Sequence, residues 1–538
     1  LTVKQIFMKR SIFFILMILF STLSFAQSQY LKNYGDELGN YYTASTVDRD
    51  GNMYLTGSFN NTITLDGLTA TGGSNALFTA KFNSDGNIIW LKTENSGTQY
   101  TPYHIALAAD GGYLMCGTFY GGDGVFGDLV LPESDLGNTF IVKYDHNGNA
   151  IWAVDEVGYG YYTKITVDAD GNIIVIGSLY GDFSFDGINY PTFGEYDAMY
   201  AKYSSTGSPM WIKVFGGLGS EDLSCLTTDD DNNIILGGRF NSDFEFEGHN
   251  FNVVALGDNF IMKSDENGYP IWLNLIASNN DESQPEGVAI GPDNNIYLGV
   301  TVENETHVDA IEILTLGLTD ACLMQLNPEN GAVNWYKTGG GYEYDYVHGI
   351  QAAKDGIFLI GTYSGTAEFD GLQLTDAFSG AYLTSFDYNG NALSVRGFTG
   401  ESFVTINDVN MDAHGNIYCS GLFYEDVISD GLATLVTNGG VDIYAYKETS
   451  PLVNITEVET LASIELSPNP TTNTITISTE NDLLKTIKIV DQNGGEIKLL
   501  SSTNQSNTMN VSDLAPGLYF VLVTSGDELA QTKSFVKQ

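Results

Sequence analysis

His104, Lys164, His348 and Asp408 are the residues of this chain whose types and spacing could do chemistry, and they are found by counting. A short kernel, first seen as Val47-Asp48-Arg49-Asp50-Gly51-Asn52-Met53-Tyr54-Leu55-Thr56-Gly57, recurs seven times. Its closing position falls at Gly57, Gly117, Gly177, Gly238, Val300, Gly361 and Gly421. Thirteen residues before each of these lie Ala44, His104, Lys164, Cys225, Gly287, His348 and Asp408. Ordinary strand starts would carry interchangeable small or apolar side chains. Two imidazoles, an ammonium and a carboxylate at one repeat position are instead the composition of a pocket at an axial mouth. Solvated rim residues in a wet channel would look the same, and both readings stay open. A second set is aromatic. Tyr103, Tyr161 and Tyr344 sit in long, varied connections, among them residues 93–103, 155–162, 216–222, 277–286 and 338–346. Variable loops on a rigid scaffold are where binding concentrates. Tyrosine offers a flat apolar face and a polar tip, which suits glycans and peptides; capping of the sheets is the alternative.

Other chemistry finds no support. Asp48, Asp50 and Asn52 imitate the first ligands of an EF-hand loop, but that loop needs Gly at its sixth position and Glu at its twelfth. Met53 and Phe59 stand there, so a hairpin turn explains the residues better. The histidines are His104, His146, His249, His307, His348 and His414, with no His-x-x-x-His spacing, and no Cys-x-x-Cys occurs. A zinc site is therefore not expected. No Gly-x-Ser-x-Gly elbow and no phosphate loop is present. Carboxylates are abundant, but none forms a singled-out pair for glycoside hydrolysis. No catalytic residue, metal ligand or cofactor is expected.

The elements that position these residues follow from the repeat. Steps of 60 to 62 residues between kernels mark a repeat architecture. All five tryptophans, Trp90, Trp152, Trp211, Trp272 and Trp335, share one repeat position shortly after a Gly turn. A large ring at a fixed place suits packing between neighbouring units. Each copy reads as four short strands joined by Asp-Gly and Asn-Gly turns, with no helical periodicity. The fold class expected is all-β: a seven-bladed β-propeller over residues 27–447. The seventh copy stops near Lys447 without its Trp strand, and Tyr30-Leu31-Lys32-Asn33-Tyr34-Gly35, one period before Trp90, supplies the match. An N-terminal strand is thus expected to close the ring and remove its open edge.

The chain has 538 residues and a formal net charge of −45 with 22 Lys plus Arg. Such acidity repels phosphate backbones and argues against nucleic-acid binding. Lys9 and Arg10, the apolar run from Ile12 to Phe20 and Ser24-Phe25-Ala26 read as a signal peptide over residues 1–26. The run is short for a membrane span, and no other long apolar segment follows, so no transmembrane segment is expected in the mature chain. Cys116, Cys225, Cys322 and Cys419 fall in four different repeats and are expected as buried thiols, not disulfides.

Residues 448–462 read as a polar linker. Residues 463–538 then show about seven alternating strands with turns at Asn493-Gly494 and Pro516-Gly517, the pattern of a small β-sandwich.

Three resemblances extend this reading. The Val-Asp-x-x-Gly-Asn-x-Tyr-x-x-Gly kernel, with strands such as Asp197-Ala198-Met199-Tyr200-Ala201-Lys202, resembles bacterial β-propeller repeat proteins of the SBBP type. That likeness specifies fold and leaves function open. The Gly-x-x-x-Trp strands are similar to those of quinoprotein dehydrogenase propellers, but the adjacent-cysteine pair of that family is absent. Leu466-Ser467-Pro468-Asn469-Pro470, Val490-Asp491-Gln492-Asn493-Gly494, Leu514-Ala515-Pro516-Gly517-Leu518-Tyr519 and Lys533-Ser534-Phe535-Val536-Lys537 resemble the type A sorting domain of the type IX secretion system of Bacteroidota. That resemblance implies the secretion machinery as partner, export across the outer membrane and a secreted or surface location. The function expected is a non-enzymatic binding module for an extracellular glycan or protein. A polysaccharide hydrolase or lyase, or a structural surface-layer component, is the alternative.

Overall fold

The structure is a computed structural model. It describes residues 28–449 and 465–538, apart from short stretches at 35–39, 95–96, 255–256, 279–282, 304–305, 309–310, 355, 401, 425–426, 432, 438–439, 479–484, 491–495, 503, 505 and 525–530. The expected signal peptide and most of the expected linker lie outside the described residues. Two compact units result, divided between Pro451 and Leu452.

Among its described residues the first unit is built of strands and contains no helix. Seven four-stranded antiparallel sheets follow one another. The first runs Asn40–Val47, Met53–Phe59, Ala76–Phe82, Ile88–Glu94, and the order repeats along the chain. The long strand Ala150–Val167 ends the second sheet and begins the third. The first strands of the seven sheets are Asn40–Val47, Gln99–Leu107, the second half of Ala150–Val167, Glu221–Thr228, Gln284–Ile290, Tyr346–Ala352 and Asp408–Met411. Each packs on the next, and the last packs on the first. The ring is closed: a β-propeller.

Local chemistry explains the kernel. The Asp48 carboxylate accepts the Asp50 and Asn52 amides at 3.1 and 2.9 Å, and Gly51 takes a φ of +79° that a side chain would resist. Its other oxygen lies 3.5 Å from Lys81 Nζ on the third strand. The same lock recurs as Lys202–Asp168 at 2.9 Å and Lys263–Asp229 at 2.9 Å. The aspartate that imitates a calcium ligand is occupied by a turn and a lysine.

The tryptophans seal sheet to sheet. A Cβ built on the turn glycines Gly148, Gly207, Gly268, Gly331 and Gly390 would lie 2.6 to 2.9 Å from Trp90, Trp152, Trp211, Trp272 and Trp335 respectively, each ring from the preceding sheet. At the junction where the ring closes, Tyr30 covers Gly86 in the same way. Gly207 therefore has two reasons to be glycine, a φ of +81° and the Trp152 face. Gly207→Ala is expected to cost about 3 kcal/mol, from strain and overpacking together. Gly187→Ala, at φ +73° with no atom within 4 Å, should cost only about 1 kcal/mol. Denaturant titration of the two variants separates the terms.

The N-terminal strand Ser28–Tyr34 pairs antiparallel with Val441–Thr449, as the missing last strand required. Val441–Thr449 runs two residues into the expected linker, with Glu448 buried against Arg396 at 2.8 Å. All four cysteines are free and buried.

The second unit holds a three-stranded sheet, Glu465–Ser467, Thr474–Ser478, Ser506–Asn510, and a four-stranded sheet, Glu496–Ser502, Lys485–Val490, Gly517–Thr524, Gln531–Lys537. Alternate residues Ile475, Ile477, Ile487, Ile489, Val521 and Val523 meet in one core, so the sandwich expectation holds.

Candidate functional site

The seven first strands enclose a cavity of about 650 Å³. Its wall takes residues from every sheet, including Ser45, His104, Lys164, Cys225, Glu286, His348 and Asp408. The structure thus brings together the four polar residues picked out by the repeat. All four are half-buried. The wall continues along the strands to the first turns, at Asp229, Asp230, Pro292 and Asn294. The cavity therefore extends from the polar ring along the first strands to the first turns, and of the long connections Glu286, at the end of 277–286, reaches it.

Each first strand up to the sixth carries a β-bulge near its start. The bulge re-aims adjacent side chains, so two consecutive residues can reach the axis. In the second and third sheets His104 and Lys164 pair just after the bulge, opposite Cys116 and Ile176. In the sixth sheet that position is Gly349, opposite Ile360, and His348 is the bulge residue itself. The sixth hairpin is one residue shorter, since Ala352 pairs with Ile357 where Leu107 pairs with Tyr113. Counting from the glycine therefore slips by one there. In the fifth sheet Gly287 holds the post-bulge position and Glu286 is the bulge residue. Glu286 thus reaches the cavity from the same place as His348, a residue the repeat count missed.

The electrostatics centre on Lys164. Among the described residues its ammonium makes no ion pair, yet its charge acts on groups from five other sheets: His104, Cys225, Glu286, His348 and Asp408. Burial, with the Lys164 charge in second place, holds His104 down at about 3 and His348 at about 4. Both imidazoles are neutral at pH 7. His104 Nδ1 accepts the Ile165 amide at 3.5 Å, which leaves the proton on Nε2. His348 Nε2 is 3.1 Å from Thr362 Oγ1. Burial raises Glu286 to about 7 against the opposing pull of Lys164. Burial also raises Asp408, which accepts the Ser45 amide at 2.7 Å. The ring presents one fixed cation among neutral hydrogen-bonding groups and carboxyls shifted toward their neutral forms.

The tyrosines lie elsewhere. Tyr103 and Tyr161 pack together, ring centroids 5.9 Å apart, and Tyr161 Oη donates to Asp222 at 3.2 Å. Tyr344 is exposed and stacks on Tyr346. None of the three lines the axial cavity. Tyr161 borders a smaller surface pocket with Tyr196, Asp222, Arg239 and Asn241. Among the described residues no group of three or more His, Cys, Asp or Glu could hold a metal ion.

Residues 465–538 match the family of the Secretion system C-terminal sorting domain. The tail is a sorting domain. It marks the chain for secretion and the outer cell surface through type IX secretion. For the propeller, one curated relative is an uncharacterized WD repeat-containing protein of Acanthamoeba polyphaga mimivirus, 26% identical over 162 residues. That stretch spans 27% of this chain and 11% of the viral protein. Among solved structures, the chain is similar to the quinohemoprotein alcohol dehydrogenase of Comamonas testosteroni (11% identity, 77% of this chain and 76% of that one, TM-score 0.37). It is similar to the Pan2 WD40 domain of Neurospora crassa (10%, 65% and 89%, TM-score 0.33). It is also similar to an ulvan lyase solved bound to a GlcA(1-4)Rha3S saccharide (10%, 77% and 97%, TM-score 0.42). These are likenesses of fold alone.

Proposed function

We propose that this chain is a surface or secreted binding protein whose axial cavity takes a small polyhydroxylated ligand bearing one anionic group, such as the terminal unit of an acidic glycan. In this reading residues 1–26 are the export signal, the seven kernels are repeats of the SBBP type, and the producing cell belongs to the Bacteroidota. The observation that carries the proposal is the Lys164 ammonium, which stands in the cavity wall without an ion-pair partner among the described residues. A carboxylate or sulfate on the ligand would supply that partner. Neutral His104 and His348 then donate or accept hydroxyl hydrogen bonds, and Asp408 accepts them. The volume suits one or two sugar rings.

Calorimetric titration of the full chain with a panel of uronic acids, sulfated sugars and their neutral counterparts tests this. The expected result is binding of acidic members only, weakened at least about tenfold in Lys164→Met, the loss of one charge-assisted hydrogen bond. Equal binding of neutral sugars, or unchanged affinity in Lys164→Met, overturns it. The pH dependence has a definite sign. Glu286 titrates at about 7, and its carboxylate competes with the ligand for Lys164. Affinity should therefore rise as pH falls from 8 to 6, and the rise should vanish in Glu286→Gln. The two histidines contribute nothing to it, because they stay neutral down to about 4.

A second reading rests on the same Glu286. A carboxyl poised near neutrality in a cavity can transfer protons, as a polysaccharide lyase or hydrolase requires. Appearance of new reducing ends or unsaturated products during the titration would select it over binding alone.

A further inference from the structure

Away from the axis, two loop junctions repeat one another. In the first, Asp197 opens the third strand of its sheet, and its Oδ2 accepts the Phe193 amide at 2.6 Å. Glu221 opens the first strand of the next sheet, and its Oε2 accepts the Gly217 amide at 2.9 Å. In the second junction Asp320 Oδ2 accepts the Leu316 amide at 2.7 Å and Asp345 Oδ2 accepts the Gly341 amide at 2.6 Å. Each carboxylate folds back the loop that precedes it by binding the amide four residues earlier. The two loops touch as well: Tyr196 bridges Ser220 in parallel, and Thr319 bridges Tyr344.

The paired carboxylates face each other across a glycine. A Cβ on Gly216 would lie 2.2 Å from Asp197 Oδ1 and 2.4 Å from Glu221 Oε2. On Gly340 it would lie 2.5 Å from Asp320 Oδ1 and 2.7 Å from Asp345 Oδ2. In each pair the two oxygens are thus at most about 5 Å apart, beside the glycine α-carbon, close enough for one calcium ion to reach both with Ca–O bonds of about 2.3–2.6 Å. Asp197, Glu221, Asp320 and Asp345 are all fully buried. Asp197 Oδ1 and Asp320 Oδ1, the atoms aimed at the partner, have no hydrogen-bond partner. Among the described residues no lysine or arginine pairs with any of the four carboxylates. Among the described residues the four carboxylates accept hydrogen bonds, the arrangement suited to the anionic form.

We propose that Asp197–Glu221 and Asp320–Asp345 are two equivalent calcium sites that clamp neighbouring loops of the ring. The donors are hard oxygens, which select calcium over zinc. Each pair supplies two carboxylates; backbone carbonyls and water complete the shell. So few charges place the affinity with that of extracellular modules, about 0.1–1 mM, which suits an exported chain. Burial raises the pKa of all four groups, to about 7 for Glu221 and Asp345, and the neighbouring carboxylate adds to the rise there. A bound cation would reverse it.

Equilibrium dialysis of the full chain, stripped with EDTA and returned to about 5 mM CaCl2, a few-fold above that affinity range, tests the proposal. The expected result is about two ions bound per chain and a melting temperature raised by several degrees. Asp197→Asn/Glu221→Gln should lose one ion and about half the shift, and adding Asp320→Asn/Asp345→Asn should abolish both. If the variants fail to fold, dialysis of the unsubstituted chain decides alone. No bound calcium there, or a calcium shift that survives all four substitutions, overturns the proposal.

Discussion

Deleting residues 28–34 is expected to open the ring and to lower its melting temperature by roughly 10 °C. The segment makes a full strand pairing with Val441–Thr449. It buries Leu31 and Tyr34 nearly completely. Each side chain contributes about 1.5–3 kcal/mol on burial, and at about 2 °C per kcal/mol in a large domain their loss alone approaches the stated shift. The rest comes from the seam. Lys32 Nζ and Tyr34 Oη both bind the Gly86 carbonyl of the first sheet, at 2.7 and 2.8 Å, and Tyr30 covers the same glycine. Without them the outer edge of the last sheet offers unpaired amides and carbonyls to other chains. Calorimetry and size-exclusion chromatography should show an earlier transition and self-association. A deletion variant that melts with the intact chain and stays monodisperse would mean the ring does not depend on its N-terminal strand.

The second large effect belongs to the buried pair Lys202–Asp168. Both side chains are at most 4% exposed, and no solvent replaces the lysine when it is removed. Lys202→Met should destabilise by about 3–5 kcal/mol, the cost of leaving a buried carboxylate uncompensated. The equivalent Lys143→Met should cost under about 1 kcal/mol, because Asp110 is 63% exposed and water takes over. The contrast is measured by urea denaturation of the two variants side by side. Equal losses would show that the buried pair is no stronger than the wet one. Replacing Lys202 together with Asp168→Asn should recover part of the loss, since Asn still accepts the turn amides of Asp170 and Asn172.

Much of this fold was legible because its signals are local and repeated. The seven kernels, the tryptophans at one phase and Tyr30 one period before Trp90 each map onto a feature of the ring: a turn, a seam, a closing strand. The site was legible in part. His104, Lys164 and Asp408 sit where the repeat count placed them. His348 reaches the cavity through a bulge and not through the expected register, since its hairpin is one residue short. Glu286 escaped notice because a count that assumes even strands cannot see a bulge, and Gly287 occupies the counted position. Tyr103, Tyr161 and Tyr344 were chosen for their chemistry, and their rings pack with each other or with Tyr346 away from the cavity. The carboxylate pairs at Asp197–Glu221 and Asp320–Asp345 were hidden for a different reason. Each joins residues from successive sheets, and nothing in the local sequence marks two acids as facing one another.

The most direct test of the central claim is a crystal structure of the full chain soaked with an acidic sugar that binds in solution. The account predicts ligand density in the axial cavity, its carboxylate or sulfate on Lys164 Nζ and its hydroxyls within reach of His104, His348 or Asp408. Density on the long-loop face, beside Tyr161, Tyr196 and Arg239 with the axial cavity holding only water, would contradict it.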